Sequence, residues 1–253
     1  MTFARRRYGR DNYLYLLAEG ADAALVDPGD PVAALELAAA HRLAPRWILH
    51  THGHADHSGG SAALREQLGA RVLGHGADSA WFPPDQDLSG EGEIALGTLR
   101  IRVLAAPGHT PGSILLMWRG RLLTGDTLFW GGCGNCRHGG DAGRLAESFA
   151  GVIAGLAGAL EVHPGHDYAE ANLPFVLDLE PGNAAAAVRL SEVRAARAAG
   201  QEPEPASLAA ERAVNPFLRA GEAEVRAALG RRGVHARDGR EAFLALRRLR
   251  DAW

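Results

Sequence analysis

The sequence predicts an α/β layered fold with one metal site at an edge of a sheet. Strand-like apolar runs alternate with helical segments along residues 13–168. Several separated loops, each directly after such a run, carry histidine or aspartate. Strands that alternate with helices are typical of sheets covered by helical layers, and loops after neighbouring strands meet at one sheet edge.

Local patterns predict the individual elements. Residues 13–17 and 23–26 are apolar runs around a turn, which indicates a hairpin. Residues 99–104 alternate between apolar and polar side chains, as in a half-buried strand. Residues 76–92 read as a polar loop with two prolines. The other predicted elements are helices at 31–41, 61–68 and 144–160, and strands at 47–49, 71–75, 114–118, 122–123 and from 162.

The chain after Pro174 loses strand patterns, which predicts a helical appendage. Asn183 is a good N-cap for a helix at 184–199, and a second short helix is expected at 222–229. Asp238 and Glu241 resemble a capping box before a helical apolar stripe. We therefore predict two domains, residues 1–173 and 174–253. The stripe consists of Phe243, Leu246, Leu249 and Trp253 and is expected to be core.

The segment His52-Gly53-His54-Ala55-Asp56-His57 concentrates three imidazoles and a carboxylate directly after an apolar strand. Imidazole and carboxylate at this spacing suit zinc, iron or manganese, with zinc as the first expectation. Further candidates follow other strands. Asp27 at a strand end is either a carboxylate that orients a ligand histidine or a simple turn residue. The remaining candidate ligands are His109, Asp126 and His166.

Composition excludes several classes of protein. The formal charge of −3 gives no general attraction to nucleic acid or membranes. No apolar run reaches the length of a membrane span, and no secretory signal is evident at the start. Cys133 and Cys136 lack the second pair that a structural zinc site usually has, so a loop is the expected reading. We expect a cytoplasmic protein.

The histidine motif resembles that of the metallo-β-lactamase superfamily. The resemblance implies an αββα sandwich and two metal ions. By that pattern His52, His54 and His109 bind the first ion, Asp56, His57 and His166 bind the second, and Asp126 bridges them. It also implies attack by a metal-bridging hydroxide on a carbonyl carbon, with Asp56 and Asp126 in the catalytic centre.

Several other motifs are similar to the glyoxalase II (hydroxyacylglutathione hydrolase) family. They include Asp11-Asn12-Tyr13, Gly132-Cys133-Gly134, Gly165-His166-Asp167-Tyr168 and Asn215-Pro216-Phe217-Leu218-Arg219. The likeness covers almost the whole chain and implies hydrolysis of S-D-lactoylglutathione or a related acyl thioester. By the family pattern the substrate contacts are Tyr168, Asn172 and Arg219.

The chain also departs from that family. Residues 135–141 differ from the usual sequence after Gly134, and two expected cations are missing from the following helix and after Arg219. The thiol of the substrate therefore stays open. The alternatives are a mononuclear-iron persulfide dioxygenase and a lactonase or other acyl hydrolase. A β-lactamase more often has cysteine in place of Asp126. The sequence leaves the metal and the oligomeric state open.

Overall fold

The computed structural model of the chain describes residues 1–90 and 92–253. Within these ranges the chain forms thirteen β-strands and nine α-helices. The strands are β1 (Thr2–Tyr8), β2 (Asn12–Glu19), β3 (Asp22–Val26), β4 (Trp47–Leu49), β5 (Arg71–Gly74), β6 (Gln86–Asp87), β7 (Gly92–Leu96), β8 (Leu99–Ala105), β9 (Ile114–Trp118), β10 (Arg121–Gly125), β11 (Leu128–Phe129), β12 (Gly132–Cys133) and β13 (Glu161–Pro164).

The helices cover the outer faces of the two sheets and fill the C-terminal third. Asp30 caps the first helix through its carboxylate, which accepts from the backbone N–H groups of Val32 and Ala33. The helices are α1 (Pro31–Ala40), α2 (Ala55–Ser58), α3 (Ser61–Leu68), α4 (Ala142–Gly151), α5 (Ala169–Leu179), α6 (Ala184–Ala198), α7 (Leu208–Val214), α8 (Ala223–Arg231) and α9 (Gly239–Ala252).

Two mixed sheets form the centre of the molecule. The first has six strands in the order β1-β2-β3-β4-β5-β6, and the second has five in the order β13-β10-β9-β8-β7. Strands β3 to β6 run parallel, as do β10 and β13. A separate hairpin pairs β11 with β12. The loops after β4, β8, β10 and β13 carry the predicted ligands.

Strand β2 is buried on both faces because it separates two cores. Tyr13, Tyr15 and Leu17 point into the core that the two sheets share. Leu14 and Leu16 point the other way and pack with α1 and α3. Alternate side chains of a strand face opposite sides, so a doubly covered strand is apolar throughout. The result is the predicted αββα sandwich.

The C-terminal helices pack on this sandwich as predicted. Asn183 caps α6 by accepting from the Ala186 N–H, and Asp238 caps α9 by accepting from the Glu241 N–H. Helix α5 runs through Pro174, so a division between residues 173 and 174 would cut this helix. The two-domain division stays a prediction.

Several details differ from the sequence predictions. Strand β1 was not predicted because its arginines make the sequence polar. In the structure it pairs with β2 along its whole length. Residues 76–92 contain β6 and the first residue of β7 rather than only loop. Helix α4 ends at Gly151, followed by a single 3-10 turn, so the prediction of a helix to residue 160 was wrong. Trp253 is 54% exposed and is not core.

Candidate metal centre and substrate pocket

The seven predicted ligands meet at one edge of the sandwich. His52 and His54 follow β4, while Asp56 and His57 lie on α2, which begins inside the histidine motif. The sequence had placed the helix start after this motif. The rest lie beyond other strand ends. His109 follows β8, Asp126 follows β10 and His166 follows β13.

Three groups of described side chains could each hold an ion. One of them, formed by Asp27, His52 and His57, overlaps the other two, which share no residue. In one of these two, His52, His54 and His109 each offer a ligand atom within 4.8 Å of the others. In the other, Asp56, His57 and His166 do the same. These are the two ligand sets that the resemblance implied.

Asp126 lies between the two groups. Its Oδ1 is 3.4 Å from Nε2 of His57, and its Oδ2 is 3.5 Å from Nε2 of His109. The same Oδ2 is 3.4 Å from Nε2 of His166. One carboxylate therefore lies close to both groups, where a bridging ligand would stand.

The contacts within this cluster fit bound cations better than hydrogen bonds. Nδ1 of His54 faces Nε2 of His109 at 3.0 Å, and Nε2 of His57 faces Nε2 of His166 at 3.1 Å. Nε2 of His52 is buried and has no hydrogen-bond partner. Ring nitrogens about 2 Å from a tetrahedral ion would lie at a similar spacing from one another. The residues present therefore fit two divalent ions.

The pKa values of the histidines in this cluster reflect both burial and the nearby carboxylates. Burial lowers the pKa of His52 well below its ordinary value, and burial also lowers that of His109, so both rings are neutral. Burial opposes charge on His166 too, but the carboxylates of Asp126 and Asp56 outweigh it and raise its pKa to about 11. A cation that binds must displace this proton, because metal ligands are deprotonated.

Nearby carboxylates orient two of the histidines. Asp27 is buried and accepts from the Thr51 N–H at 2.8 Å and the Thr51 hydroxyl at 2.6 Å. Its Oδ2 lies 3.6 Å from Nδ1 of His57. Asp11 Oδ1 lies 2.8 Å from Nδ1 of His166. A carboxylate on the second ring nitrogen directs the first toward a metal. The sequence suggested Asp27 for this role but quoted Asp11 only as part of a motif.

The loop that departs from the glyoxalase II pattern contacts the first group. The Asn135 carbonyl lies 2.7 Å from Nδ1 of His109, and the His138 carbonyl lies 3.0 Å from Nε2 of His54. Each carbonyl accepts from one ring nitrogen and leaves the other free for a cation. A Cβ atom on Gly134 would stand 2.7 Å from Nδ1 of His109, so only glycine fits there.

Asp78 ties the two histidine loops together, and sequence reasoning missed it inside the presumed polar loop. Its fully buried carboxylate accepts from the Gly53 N–H at 2.8 Å and from the Gly112 N–H at 2.8 Å. It also accepts from the Thr110 hydroxyl at 2.7 Å. A lone aspartate three residues after a strand gave no sequence signal of this role.

A cationic pocket of about 270 Å³ adjoins the second ligand group. The Tyr168 ring stacks on His166 with centroids 4.7 Å apart, and Phe129 meets Tyr168 edge-on at 5.0 Å. Nε and Nη2 of Arg250 donate to Asn172 Oδ1 at 3.3 and 3.2 Å. The pocket is lined by Phe129, Cys133, Asn135, Arg137, Tyr168, Asn172, Arg247, Arg250, Asp251 and Trp253.

Comparisons with known proteins show which family the chain belongs to. The chain is 67% identical over 253 residues to a hydroxyacylglutathione hydrolase from Anaeromyxobacter dehalogenans, with 99% of each chain covered. The chain belongs to the hydroxyacylglutathione hydrolase family. A Halorhodospira halophila protein of the same name is 39% identical, with 95% of each covered. The family model "Hydroxyacylglutathione hydrolase C-terminus" matches residues 167–253.

Solved structures similar to this family member share its fold. ETHE1 from Myxococcus xanthus has a TM-score of 0.71 at 26% identity, covering 98% of this chain and 90% of that one. TTHA1623 in a di-iron-bound form has a TM-score of 0.62 at 26% identity, covering 86% and 100%. A Staphylococcus aureus metallo-β-lactamase at 20% identity and TM-score 0.66 covers 99% and 72%, which supports the fold alone.

Arg219, which the family pattern predicted as a substrate contact, does not line the cationic pocket. Arg219 Nη1 and Nη2 donate to the two oxygens of Glu180 at 3.0 and 2.5 Å. Both side chains line a different cavity, away from Tyr168 and Asn172. The predicted cation is therefore engaged in a structural ion pair, and cations from α9 and the altered loop occupy the pocket instead.

The two cysteines show no sign of a further metal site. Burial raises the pKa of Cys133 to about 11 and that of Cys136 to about 12, so both are protonated thiols. Neither belongs to a group of three potential ligands within the described ranges.

No described helix is long and apolar enough to cross a membrane.

Proposed function

We propose that the protein is a dinuclear metal-dependent thioesterase that hydrolyses S-2-hydroxyacyl thioesters of glutathione, with S-D-lactoylglutathione as the first candidate. The observation that carries this proposal is a seven-residue ligand cluster that opens beside a cationic pocket. The 67% identity to a hydroxyacylglutathione hydrolase supports it. The proposed ligands are His52, His54, Asp56, His57, His109, Asp126 and His166.

Two bound divalent ions would supply a hydroxide nucleophile near neutral pH and polarise the thioester carbonyl. The chain's own residues hold the reacting groups in place. Asp126 would join the two halves of the centre, while Asp11 and Asp27 would keep the rings of His166 and His57 aimed at it. Hydrolysis then needs no covalent nucleophile, and the raised thiol pKa values make Cys133 and Cys136 poor candidates for one.

The adjacent pocket would bind the thiol portion of the substrate. Glutathione carries two carboxylates and a net negative charge at neutral pH, and arginine forks match carboxylates in geometry. Arg250 is partly exposed and lines the pocket, whereas Arg247 is buried and donates to the Cys133 carbonyl at 2.7 Å. We propose that Arg250 binds a substrate carboxylate, that Tyr168 contacts the thiol chain, and that Asn172 and Arg247 hold the pocket in shape.

Zinc is the proposed metal, since tetrahedral imidazole and carboxylate sites suit it. Iron or manganese would also tolerate these ligands, and the similar TTHA1623 was solved in a di-iron-bound form. We further propose a reducing, cytoplasmic location, supported by two cysteines that are both free thiols.

Two other activities make different demands on the site. A mononuclear-iron persulfide dioxygenase needs one ligand group, whereas this chain offers two. A lactone has no thiol portion, so a lactonase does not need a cationic pocket that binds one. The second ligand group and the arginines therefore favour the thioesterase.

The test is a panel of substrates assayed on metal-replete protein. S-D-lactoylglutathione, an acyl coenzyme A and a lactone are compared by thiol or acid release, with Asp126→Ala as the blank. The proposal expects preference for the glutathione ester. Preference for the lactone, or oxygen consumption with a persulfide, would contradict it.

A further inference from the structure

We infer that Trp81 forms the acyl-binding wall of the active site and sets how well the site accepts acyl groups with a bulky apolar substituent in addition to lactoyl. This inference rests on the proposed thioesterase function. Trp81 lies in the short segment between β5 and β6, which sequence patterns marked only as loop. It is 41% exposed although it is a large aromatic residue.

The ring of Trp81 lies against the metal-binding motif itself. Its centroid is 5.6 Å from that of His54, and the two planes meet at 85°. A Cβ atom on Gly53 would stand 2.6 Å from Cε3 of Trp81, so the absence of a side chain at residue 53 makes room for the ring. The ring therefore covers the backbone between two proposed ligands of the first ion.

The position of Trp81 is fixed by the network around Asp78. The Trp81 N–H donates to the Asp78 carbonyl at 3.0 Å, and the Asp78 carboxylate accepts from the Gly53 N–H at 2.8 Å. Because the same residue holds both the tryptophan and the histidine loop, their separation is built into the fold. A half-exposed ring held this firmly is preorganised to contact a ligand.

The altered loop also lies beside His54 and Trp81. The His138 ring lies 6.2 Å from the His54 ring at an interplanar angle of 88°, and its side chain is exposed. A Cβ atom on Gly139 would lie 3.4 Å from Cη2 of Trp81. Trp81 and His138 thus flank the ligand of the first ion, with the apolar face supplied by Trp81.

The two sides of the centre differ in chemistry, and this gives the substrate a direction. The cationic pocket adjoins His166 through the stacked Tyr168 ring at the second ligand group, and it meets the first group through the Asn135 carbonyl beside His109. Trp81 adjoins His54, at the first group. A thioester carbon held between the groups projects its thiol into the cationic pocket, so its acyl group projects toward Trp81. An aromatic wall gains more contact with a large apolar acyl substituent than with the methyl group of lactoyl, so it lets the site accept both.

The experiment compares two thioesters that share glutathione and differ only in the acyl group, S-D-lactoylglutathione and S-D-mandeloylglutathione. We measure kcat/KM for each with the metal-loaded wild type, Trp81→Leu and Trp81→Phe, and record metal content and melting temperature. The ratio of mandeloyl to lactoyl kcat/KM should fall about tenfold in Trp81→Leu, because apolar pocket contacts discriminate on this scale. Trp81→Phe, which keeps a flat ring, should restore most of it.

Trp253 provides the matched control, since it is an exposed tryptophan that lines the thiol pocket. Trp253→Leu should leave the ratio of the two kcat/KM values unchanged, whatever its effect on each value. An unchanged ratio in Trp81→Leu, or the same ratio shift in Trp253→Leu, would overturn the inference about Trp81. A wild-type protein that hydrolyses neither thioester would instead overturn the proposed function, and the acyl wall with it.

Discussion

Asn172 holds Arg250 in the cationic pocket: its Oδ1 accepts from both Nε and Nη2 of the guanidinium. The amide nitrogen of Asn172 donates in turn to the Trp130 carbonyl at 3.1 Å. Asn172 is itself buried, so its side chain joins the pocket to the β11–β12 hairpin. These contacts support the proposal that Asn172 positions Arg250 in the pocket.

Replacing Asn172 with leucine should therefore weaken substrate binding. We expect KM for S-D-lactoylglutathione to rise about tenfold because Arg250 loses a buried acceptor, while kcat stays within about twofold. Steady-state kinetics on metal-loaded protein measure both. Asn172→Asp keeps an acceptor for Arg250 but loses the donor to the Trp130 carbonyl, so it should recover part of the affinity. A fall in kcat alone would place Asn172 in the chemical step instead.

Arg250 should recognise a substrate carboxylate. Arg250→Met is expected to lower kcat/KM for S-D-lactoylglutathione about tenfold or more, since charge-assisted hydrogen bonds are the strong ones. For the same thioester with its glycine carboxylate amidated, Arg250→Met should lower kcat/KM by a smaller factor. Exposed Arg248, which does not line the pocket, supplies the control Arg248→Met. Equal losses with both thioesters would show that Arg250 does not read that carboxylate.

Asp78 should matter for metal retention. Asp78→Asn replaces one carboxylate oxygen with an NH₂ group. Whichever oxygen is replaced, the NH₂ group faces another donor, at Gly53, Thr110 or Gly112. We expect a loss of about 3 kcal/mol in stability and weaker metal binding in chelator competition. Asp87→Asn is the control, because Asp87 is exposed and also accepts from backbone N–H groups. Similar effects of both substitutions would contradict this role.

Glu211 should make stability depend on pH. Burial raises its pKa from an ordinary 4.5 to about 7. Between these values the unfolded chain has released the proton that the folded chain still holds, so the free energy of unfolding falls as pH rises. The fall is about 3 kcal/mol and is complete above pH 7.

The variant Glu211→Gln isolates this effect. Glutamine keeps an oxygen for the Gly131 N–H, which donates to Glu211 at 2.9 Å, and it does not titrate. Urea unfolding of both proteins, metal-free, at pH 4.5 and pH 8 gives the comparison. The wild type should lose more stability than the variant over this range. Parallel pH profiles would show that Glu211 titrates normally in the folded protein.

Much of the fold could be predicted from the sequence because local patterns and tertiary burial agree. Alternation in β8 and the N-caps Asn183 and Asp238 are examples. Strand β1 was not predicted because its arginines make the sequence look polar. In the structure one of them, Arg5, stacks over the Tyr13 ring at 4.6 Å. Helix α4 was predicted too long because small residues after Gly151 do not disfavour helix strongly enough to mark its end.

The candidate centre was more predictable than the pocket beside it. Metal ligands cluster in short motifs after strands, so His52 to His57 are visible in the sequence. Pocket residues come from distant elements: no local signal distinguishes Arg250 from Arg248, and the family motif pointed to Arg219 instead. Only the structure reveals that Arg219 is paired with Glu180 and that Arg250 faces the cavity.

The measurement that tests the central claim most directly is a titration of metal-free protein with zinc, following bound metal and S-D-lactoylglutathione hydrolysis together. We predict that activity rises to a plateau at about two ions per chain, as the two-ion centre requires. The plateau kcat/KM should be ~10⁵ M⁻¹s⁻¹ or more, and Asp126→Ala should abolish it. Full activity at one ion per chain, or full binding of two ions without hydrolysis, would contradict the account.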